Sequence, residues 1–145
     1  MTYTIRDHFH IELHGFSGVA ADGNWGKMGM QLMDRMWKEV RSGGLQNKGL
    51  NVWVYGPGNT MFCGVELIGS PPVDSGLGRM EVSLPRYVYY KHIGSYDRIK
   101  ESGLRVSEEA RQAGIKTGLP YLEIYGHWTE DVSKLETELL WALID

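Results

Sequence analysis

The predicted order of strands and helices is the same on both sides of residues 70–78, and this repetition constrains the fold more than any other feature. Alternating apolar residues predict strands, and apolar residues three or four apart predict helices. In each half a long strand precedes a helix, and two shorter strands follow. The first half has a strand over residues 3–16, a helix over Trp25–Val40 and strands over Asn51–Tyr55 and Met61–Ile68. The second has Arg79–Ile93, a helix over Ser95–Ala113, and strands over Tyr121–Tyr125 and Thr137–Ile144.

Short matching sequences indicate that the two halves arose by internal duplication. Phe16-Ser17-Gly18 and His92-Ile93-Gly94 both end a first strand before a helix. The segment of residues 50–56, LNVWVYG, overlays residues 120–126, PYLEIYG. The overlay matches Tyr55 with Tyr125 and Trp53 with Glu123.

The duplication predicts one α+β domain over residues 1–145, built from pseudo-repeats 1–69 and 79–145. Two such units would form an antiparallel sheet with both helices on one face and an open ligand groove on the other. Pro85 is expected to kink or interrupt its strand, because proline cannot donate a hydrogen bond to a neighbouring strand. Gly103 weakens the second helix and could divide it.

Glu123 is the most unusual residue in its strand. Because side chains alternate across a strand, Tyr121, Glu123 and Tyr125 share one face, and Leu122 and Ile124 share the other. A glutamate on the solvated face of a sheet would explain the pattern by itself. The flanking tyrosines and the match with Trp53 are also compatible with a groove. The candidate ligand-binding residues are Trp53, Tyr55, Phe62, Glu66, Tyr121, Glu123 and Tyr125, and the strand phase is ambiguous at Phe62 and Glu66.

An aromatic groove with one carboxylate suits an amphipathic or cationic ligand, since aromatic faces attract cations and a cation offsets the cost of a poorly solvated carboxylate. The same residues could perform hydrolysis. In that alternative Glu123 is a general base toward water, and the hydroxyl of Tyr125 or Tyr55 is the proton donor.

Composition narrows the function classes further. The net charge of −3 argues against a dedicated nucleic-acid binder. No apolar run is long enough for a membrane span, which makes the cytoplasm the default location. The single cysteine, Cys63, excludes an internal disulfide and is expected to face the helices with Val65 and Leu67.

Other residues that could carry chemistry have simpler interpretations, and we predict neither a cofactor nor a metal site. A polar stripe on the first strand (His8, His10, Glu12 and His14) could ligate zinc but is equally typical of a half-exposed strand. His92, at the junction of a strand and a helix, is expected to be a structural hydrogen-bonding residue. Four methionines of the first helix are expected to be mostly core, with one or two lining an adaptable pocket: Met28, Met30, Met33 and Met36.

Two motifs in the second half resemble those of GyrI-like domains. Residues 90–96, YKHIGSY, resemble the His-x-Gly-x-Tyr entry to the second helix of that family, and residues 120–125, PYLEIY, resemble its Pro-x-x-Glu-x-Tyr strand. The resemblance covers essentially the whole chain. It implies a small-molecule-binding domain in which Glu123 is the buried acidic ligand contact.

The resemblance also supplies the alternatives for function. Similar domains sense effectors in AraC-type and MerR-type regulators, and others are stand-alone proteins, including a gyrase inhibitor and hydrolases of cyclopropyl-containing genotoxins. Because the first strand begins close to Met1, we expect a stand-alone form without direct DNA binding. The first expectation is a protein that senses or sequesters hydrophobic or cationic aromatic compounds. The alternatives are a hydrolase of reactive natural products and a gyrase-inhibitor-like module with a protein partner.

Overall fold

A computed structural model describes residues 2–144, and its elements follow the predicted order in both halves. The strands are β1 (Thr4–Val19), β2 (Val52–Tyr55), β3 (Thr60–Val65), β4 (Gly78–Ile93), β5 (Thr117–Tyr125) and β6 (Glu136–Leu143). The helices are α1 (Trp25–Ser42) and α2 (Ile99–Gln112), and short 3-10 turns lie at Pro57–Asn59, Tyr96–Arg98 and Val132–Lys134. Superposition of residues 1–69 on residues 79–145 remains a prediction.

The strands are all antiparallel, as predicted, but the sheet is closed. Its order is β1-β3-β2-β5-β6-β4, with β4 pairing back to β1. The strands β2 and β5 bring the two halves together, and Trp53 and Glu123 are direct cross-strand partners. Directly opposite side chains point to the same face of a sheet. The two residues matched by the duplication therefore lie side by side.

The inside of the barrel is filled by apolar side chains from all six strands: Ile11, Leu13, Val52, Val54, Phe62, Val82, Leu84, Tyr87, Leu122, Ile124, Leu140 and Ala142. Both helices pack on the outside. The expected groove on the face opposite the helices is therefore wrong. Closure turns the apolar backs of β2 and β5 against the other strands, so this side is barrel core and not an open groove. A smaller cavity of about 380 Å³ remains there, beside Val54, Phe62 and Val82.

Each helix covers one part of the outer surface. The helix α1 buries Leu32, Met36 and Val40 against Cys63 and Val65, so Cys63 faces the helices as predicted. Asn24 is the N-cap of this helix: its side-chain oxygen accepts a hydrogen bond from the Lys27 amide at 3.1 Å.

The helix α2 packs Val106 and Ala110 against Tyr3 and Val88, and it continues through Gly103 without dividing. Within residues 2–144, neither helix is long and apolar enough to cross a membrane.

Pro85 changes the pairing of β4 without ending the strand. Asp7 pairs with Arg86 and Phe9 with Leu84, while His8, opposite Pro85, has a φ of 60°. The inward-facing residues change phase at this point, from Leu84 to Tyr87. The irregularity predicted at Pro85 is therefore present as a local change in which residues of β4 face inward.

Candidate functional site

A cavity of about 990 Å³ lies on the outer face of the sheet, between the two helices. The strands β2 and β5 form its floor, α1 and α2 form its sides, and residues 126–128 contribute to its rim. All five tryptophans of the chain line it: Trp25, Trp37, Trp53, Trp128 and Trp141. Such a concentration of aromatic surface in one concave region is typical of small-molecule sites.

Glu123 is the buried acid of this cavity. Its side chain points from β5 into the layer between sheet and helices, and the residue is 5% exposed. Three tyrosine hydroxyls donate hydrogen bonds to the carboxylate. The hydroxyls of Tyr55 and Tyr125 lie 2.8 Å and 2.7 Å from Oε1, and that of Tyr121 lies 3.0 Å from Oε2.

The arrangement follows from two strand positions and one cross-strand pair. Tyr121 and Tyr125 are two residues before and after Glu123, so all three share a face of β5. Tyr55 is the cross-strand partner of Tyr121. The carboxylate therefore accepts hydrogen bonds from its own strand and from the neighbouring one, and its two oxygens act only as acceptors.

The surroundings of Glu123 hold these hydroxyls in their neutral form. Burial raises the pKa of Tyr55, Tyr121 and Tyr125 above the ordinary range, and the nearby charge of Glu123 raises each further. Burial, followed by the same charge, raises the pKa of the Cys63 thiol to about 12. The tyrosines are therefore hydrogen-bond donors to Glu123 throughout the physiological pH range.

Glu123 has no cationic partner in the described part of the chain. Within residues 2–144, no Lys, Arg or His nitrogen lies within 4.0 Å of its carboxylate, although eight such pairs exist elsewhere. A buried carboxylate is ordinarily paired or neutralised. Hydroxyl donors satisfy its hydrogen-bonding capacity, but they supply no positive charge.

Aromatic rings surround this carboxylate in close contact with one another. Ring centroids are 5.4 Å apart for Trp53 and Tyr125, and 5.4 Å apart for Trp25 and Tyr55. Edge-to-face and tilted pairs at such separations hold each ring in place. The walls are thus rigid π-faces.

Five of the seven predicted ligand-binding residues come together in the cavity: Trp53, Tyr55, Tyr121, Glu123 and Tyr125. Phe62 does not, because it pairs with Val54 and points into the barrel core at 3% exposure. Glu66 does not either, since it follows the end of β3 and binds Lys48 at 3.1 Å on the surface. These are the two positions at which the strand phase was ambiguous in the sequence.

Apart from the methionines, sequence reasoning missed the contribution of the helices. Trp25, Met33 and Trp37 line the cavity from one face of α1, eight and four residues apart, a spacing visible in the sequence. Met30 also lines it, so two of the four helix methionines face the cavity as predicted, while Met36 is in the core. Trp128 lies in a connection with no periodic pattern, and no signal marked it.

Two of the histidines, His92 and His10, have hydrogen-bond partners outside the cavity. His92 is structural, as predicted: its Nδ1 lies 2.8 Å from Ser102 Oγ and its Nε2 lies 2.9 Å from the Ser95 carbonyl oxygen. On β1, His10 Nδ1 lies 2.7 Å from Ser83 Oγ. Glu12 of the same stripe is paired with Arg79 at 2.9 Å.

Comparison with known proteins identifies the fold through solved structures. No protein-family model and no curated protein sequence matches the chain. The C-terminal domain of EcmrR superposes with a TM-score of 0.72 at 15% identity, covering 100% of this chain and 99% of that one. In EcmrR complexed with DNA, the match covers 58% of the EcmrR chain.

Two further structures share the fold. SAV2435 bound to tetraphenylphosphonium has a TM-score of 0.69 at 16% identity, covering 99% of this chain and 94% of that one. A hydrolase from Listeria innocua has a TM-score of 0.59 at 9% identity, covering 99% and 92%. At these identities the likeness shows that the chain has the fold of the EcmrR C-terminal domain and of SAV2435.

Proposed function

We propose that this chain binds a hydrophobic, cationic aromatic compound in the cavity between the helices, with Glu123 supplying the charge that the ligand neutralises. The observation that carries the proposal is the buried carboxylate itself. It accepts three tyrosine hydrogen bonds and has no positive partner within residues 2–144. A cationic ligand would provide the missing charge.

Two interactions would stabilise a bound cation in this cavity. An ionised carboxylate in a poorly solvated site loses hydration, and an opposite charge in the same low-dielectric space compensates for that loss. The rings of the cavity add cation–π attraction, at about 0.5–2 kcal/mol for each face that meets the charge. A cation whose charge is surrounded by aromatic or aliphatic groups is weakly hydrated and loses little hydration on binding. It gains both the attraction of the carboxylate and the cation–π attraction of the rings.

Much of the remaining lining suits the apolar part of such a ligand, although Lys100 and His127 also line the cavity. Met30 and Met33 can adjust their side chains to different shapes, because methionine is unbranched and polarisable. The tryptophans offer flat apolar surface. A volume of about 990 Å³ is at the upper end of the range for drug-sized ligands.

The solved structures support the choice of ligand class. SAV2435, whose structure was determined bound to tetraphenylphosphonium, a lipophilic cation, has the same fold. We therefore propose tetraphenylphosphonium as the first probe. In the cell, a protein with this property would sense or sequester toxic cations, in keeping with the resemblance to GyrI-like domains. We expect no binding to duplex DNA by residues 1–145, given their net charge of −3.

Hydrolysis is the competing function, with Glu123 as base and Tyr125 as donor. A hydrolase with this fold exists in Listeria innocua. The hydrogen bonds favour binding over hydrolysis. Both oxygens of Glu123 already accept hydrogen bonds from tyrosine hydroxyls, so a water molecule must enter that network before the carboxylate can activate it.

The test is a titration with tetraphenylphosphonium, followed by the fluorescence of the tryptophans that line the cavity. Glu123→Gln keeps the size of the side chain and removes its charge. We expect it to weaken binding by about 1.5–3 kcal/mol, or roughly 10- to 100-fold, as for hydrogen bonds and contacts to charged groups. Glu101→Gln, the same change at an exposed position of α2, is the control and should bind as the wild type does.

Three outcomes separate the hypotheses. Loss of affinity in Glu123→Gln alone supports binding through the carboxylate. Absence of any fluorescence change in the wild type, over a panel of lipophilic cations, contradicts the proposal. Turnover of a cyclopropyl-containing substrate that falls about 10²–10⁴-fold in Glu123→Gln would make the chain a hydrolase instead.

A further inference from the structure

Two glycines occupy the same place in the two helices. Gly29 is the fifth residue of α1, and Gly103 is the fifth residue of α2. Neither has a positive φ, so the backbone conformation does not require glycine at either position. Glycine is also the poorest helix former after proline. The side chains packed against these two positions must therefore explain why glycine is present.

Each glycine lies against a side chain that lines the cavity. A Cβ on Gly29 would overlap Cζ3 and Cη2 of Trp53 and lie 2.6 Å from its Cε3. A Cβ on Gly103 would lie 2.8 Å from the hydroxyl oxygen of Tyr121. Trp53 is the cross-strand partner of Glu123, and Tyr121 is the donor to its Oε2. The two glycines thus lie against two of the side chains that surround the carboxylate, Trp53 and Tyr121.

Trp141 completes the packing around Tyr121. Its ring lies on that of Tyr121, with centroids 4.1 Å apart, and its Nε1 donates to the Gly103 carbonyl oxygen at 3.0 Å. The Tyr121 ring is therefore held between the backbone of α2 and the Trp141 indole. A methyl group added at Gly103 would push the Tyr121 hydroxyl out of its position. The Trp141 indole blocks the tilt of the Tyr121 ring that could restore it.

We propose that Gly29 and Gly103 are positioning residues of the ligand site, and that Gly103 fixes the Tyr121 hydroxyl on Oε2 of Glu123. The inference rests on the proposed function for its effect on ligand binding. Its structural basis, a steric coupling between Gly103 and Tyr121, is independent of any ligand. Because Tyr121 is the only tyrosine bonded to Oε2, moving its hydroxyl alters the carboxylate that the ligand meets.

The test is a double-mutant cycle of Gly103→Ala and Tyr121→Phe. Tetraphenylphosphonium affinity is measured at a temperature at which circular dichroism shows every variant to be folded. In the wild-type background, Gly103→Ala should weaken binding by about fivefold or more. In the Tyr121→Phe background it should weaken binding by less than about twofold, because the clashing oxygen is gone. The next atom, Tyr121 Cζ, would lie 3.4 Å from the new Cβ, an ordinary contact.

Two further variants serve as a control and a comparison for this cycle. Gly26→Ala is the control for stability only: an added Cβ there meets no atom within 4 Å, and its affinity is not compared because Gly26 lines the cavity. Gly29→Ala should lower affinity and stability more than Gly103→Ala does. Three carbons of a rigid indole must move to admit its methyl group, and an indole cannot retreat as a single hydroxyl can.

Equal losses of affinity in the two backgrounds, or no loss in Gly103→Ala, would overturn the inference. So would lower stability with unchanged affinity, which is the mark of a purely structural glycine. If the wild type binds no lipophilic cation, the proposed function fails. The same double-mutant cycle, measured as free energies of unfolding, still tests the steric coupling between Gly103 and Tyr121. Additive effects of the two substitutions on stability would contradict that coupling.

Discussion

Removing single tyrosine hydroxyls from Glu123 should destabilise the protein unequally. Phenylalanine keeps the aromatic ring and deletes only the donor. Tyr121→Phe leaves Oε2 without a protein donor, whereas Tyr55→Phe or Tyr125→Phe leaves Oε1 with one remaining bond. The bond from Tyr121 is also the buried one of the three. We therefore expect Tyr121→Phe to cost the most, although its bond is the longest.

The magnitudes follow from the kind of hydrogen bond that is lost. A bond to a charged group contributes about 1.5–3 kcal/mol, and leaving a buried acceptor unsatisfied places the cost at the upper end of that range. We expect Tyr121→Phe to lower the free energy of unfolding by about 2–3 kcal/mol. Tyr55→Phe and Tyr125→Phe should each lower it by about 1–1.5 kcal/mol, because the remaining donor still satisfies Oε1.

Urea unfolding at neutral pH measures these differences, with Tyr96→Phe as a control. Tyr96 packs its ring against Tyr125, with centroids 5.6 Å apart, and is 39% exposed. Its variant should change the free energy of unfolding by less than about 0.5 kcal/mol. The cost of Tyr121→Phe should also fall to about half in a Glu123→Gln background, where the acceptor is neutral. Equal costs for the three tyrosines, or an unchanged cost in that background, would refute the reasoning.

Two other predictions concern residues of β3. Because burial raises the pKa of Cys63 to about 12, the unfolded state releases the thiol proton first, and stability should fall by about 1.4 kcal/mol per pH unit from this group as pH rises above about 9. Urea unfolding at pH 8–11 should show a shallower decline in Cys63→Ala, and identical declines would contradict the assignment. Phe62→Ala should lower the free energy of unfolding by about 3–5 kcal/mol, because it empties part of the barrel core. The folded variant should keep its affinity for tetraphenylphosphonium, and a selective loss of affinity would return Phe62 to the binding site.

Local patterns predicted the elements and the centre of the site. Alternation placed Tyr121, Glu123 and Tyr125 on one face, and the duplicated segments paired Trp53 with Glu123. These relations depend only on strand periodicity and on matching sequences, which a single chain displays. The same reasoning located the strands and both helices to within a few residues. The largest differences are at β5, which begins earlier than predicted at Thr117, and at α2, which begins later than predicted at Ile99.

Curvature was not visible in the sequence. Whether Leu122 and Ile124 face helices or other strands depends on the pairing of β4 with β1 and β6, which joins residues far apart in the chain. The predicted groove was therefore assigned to the wrong side of the sheet. The face of α1 that carries Trp25 and Trp37 was missed for the same reason, because an apolar stripe does not say whether it lines a core or a cavity.

The position of the bound cation tests the central claim most directly. Tetraphenylarsonium has the shape and charge of the phosphonium, and its arsenic atom gives an anomalous diffraction signal that marks the centre of charge. In a crystal of the complex, we expect one arsenic peak inside the cavity, within roughly 6 Å of the ring centroids of Trp53 and Tyr125 and beside Glu123. A peak on the outer surface, or at the end of the barrel near Phe62, would contradict the account.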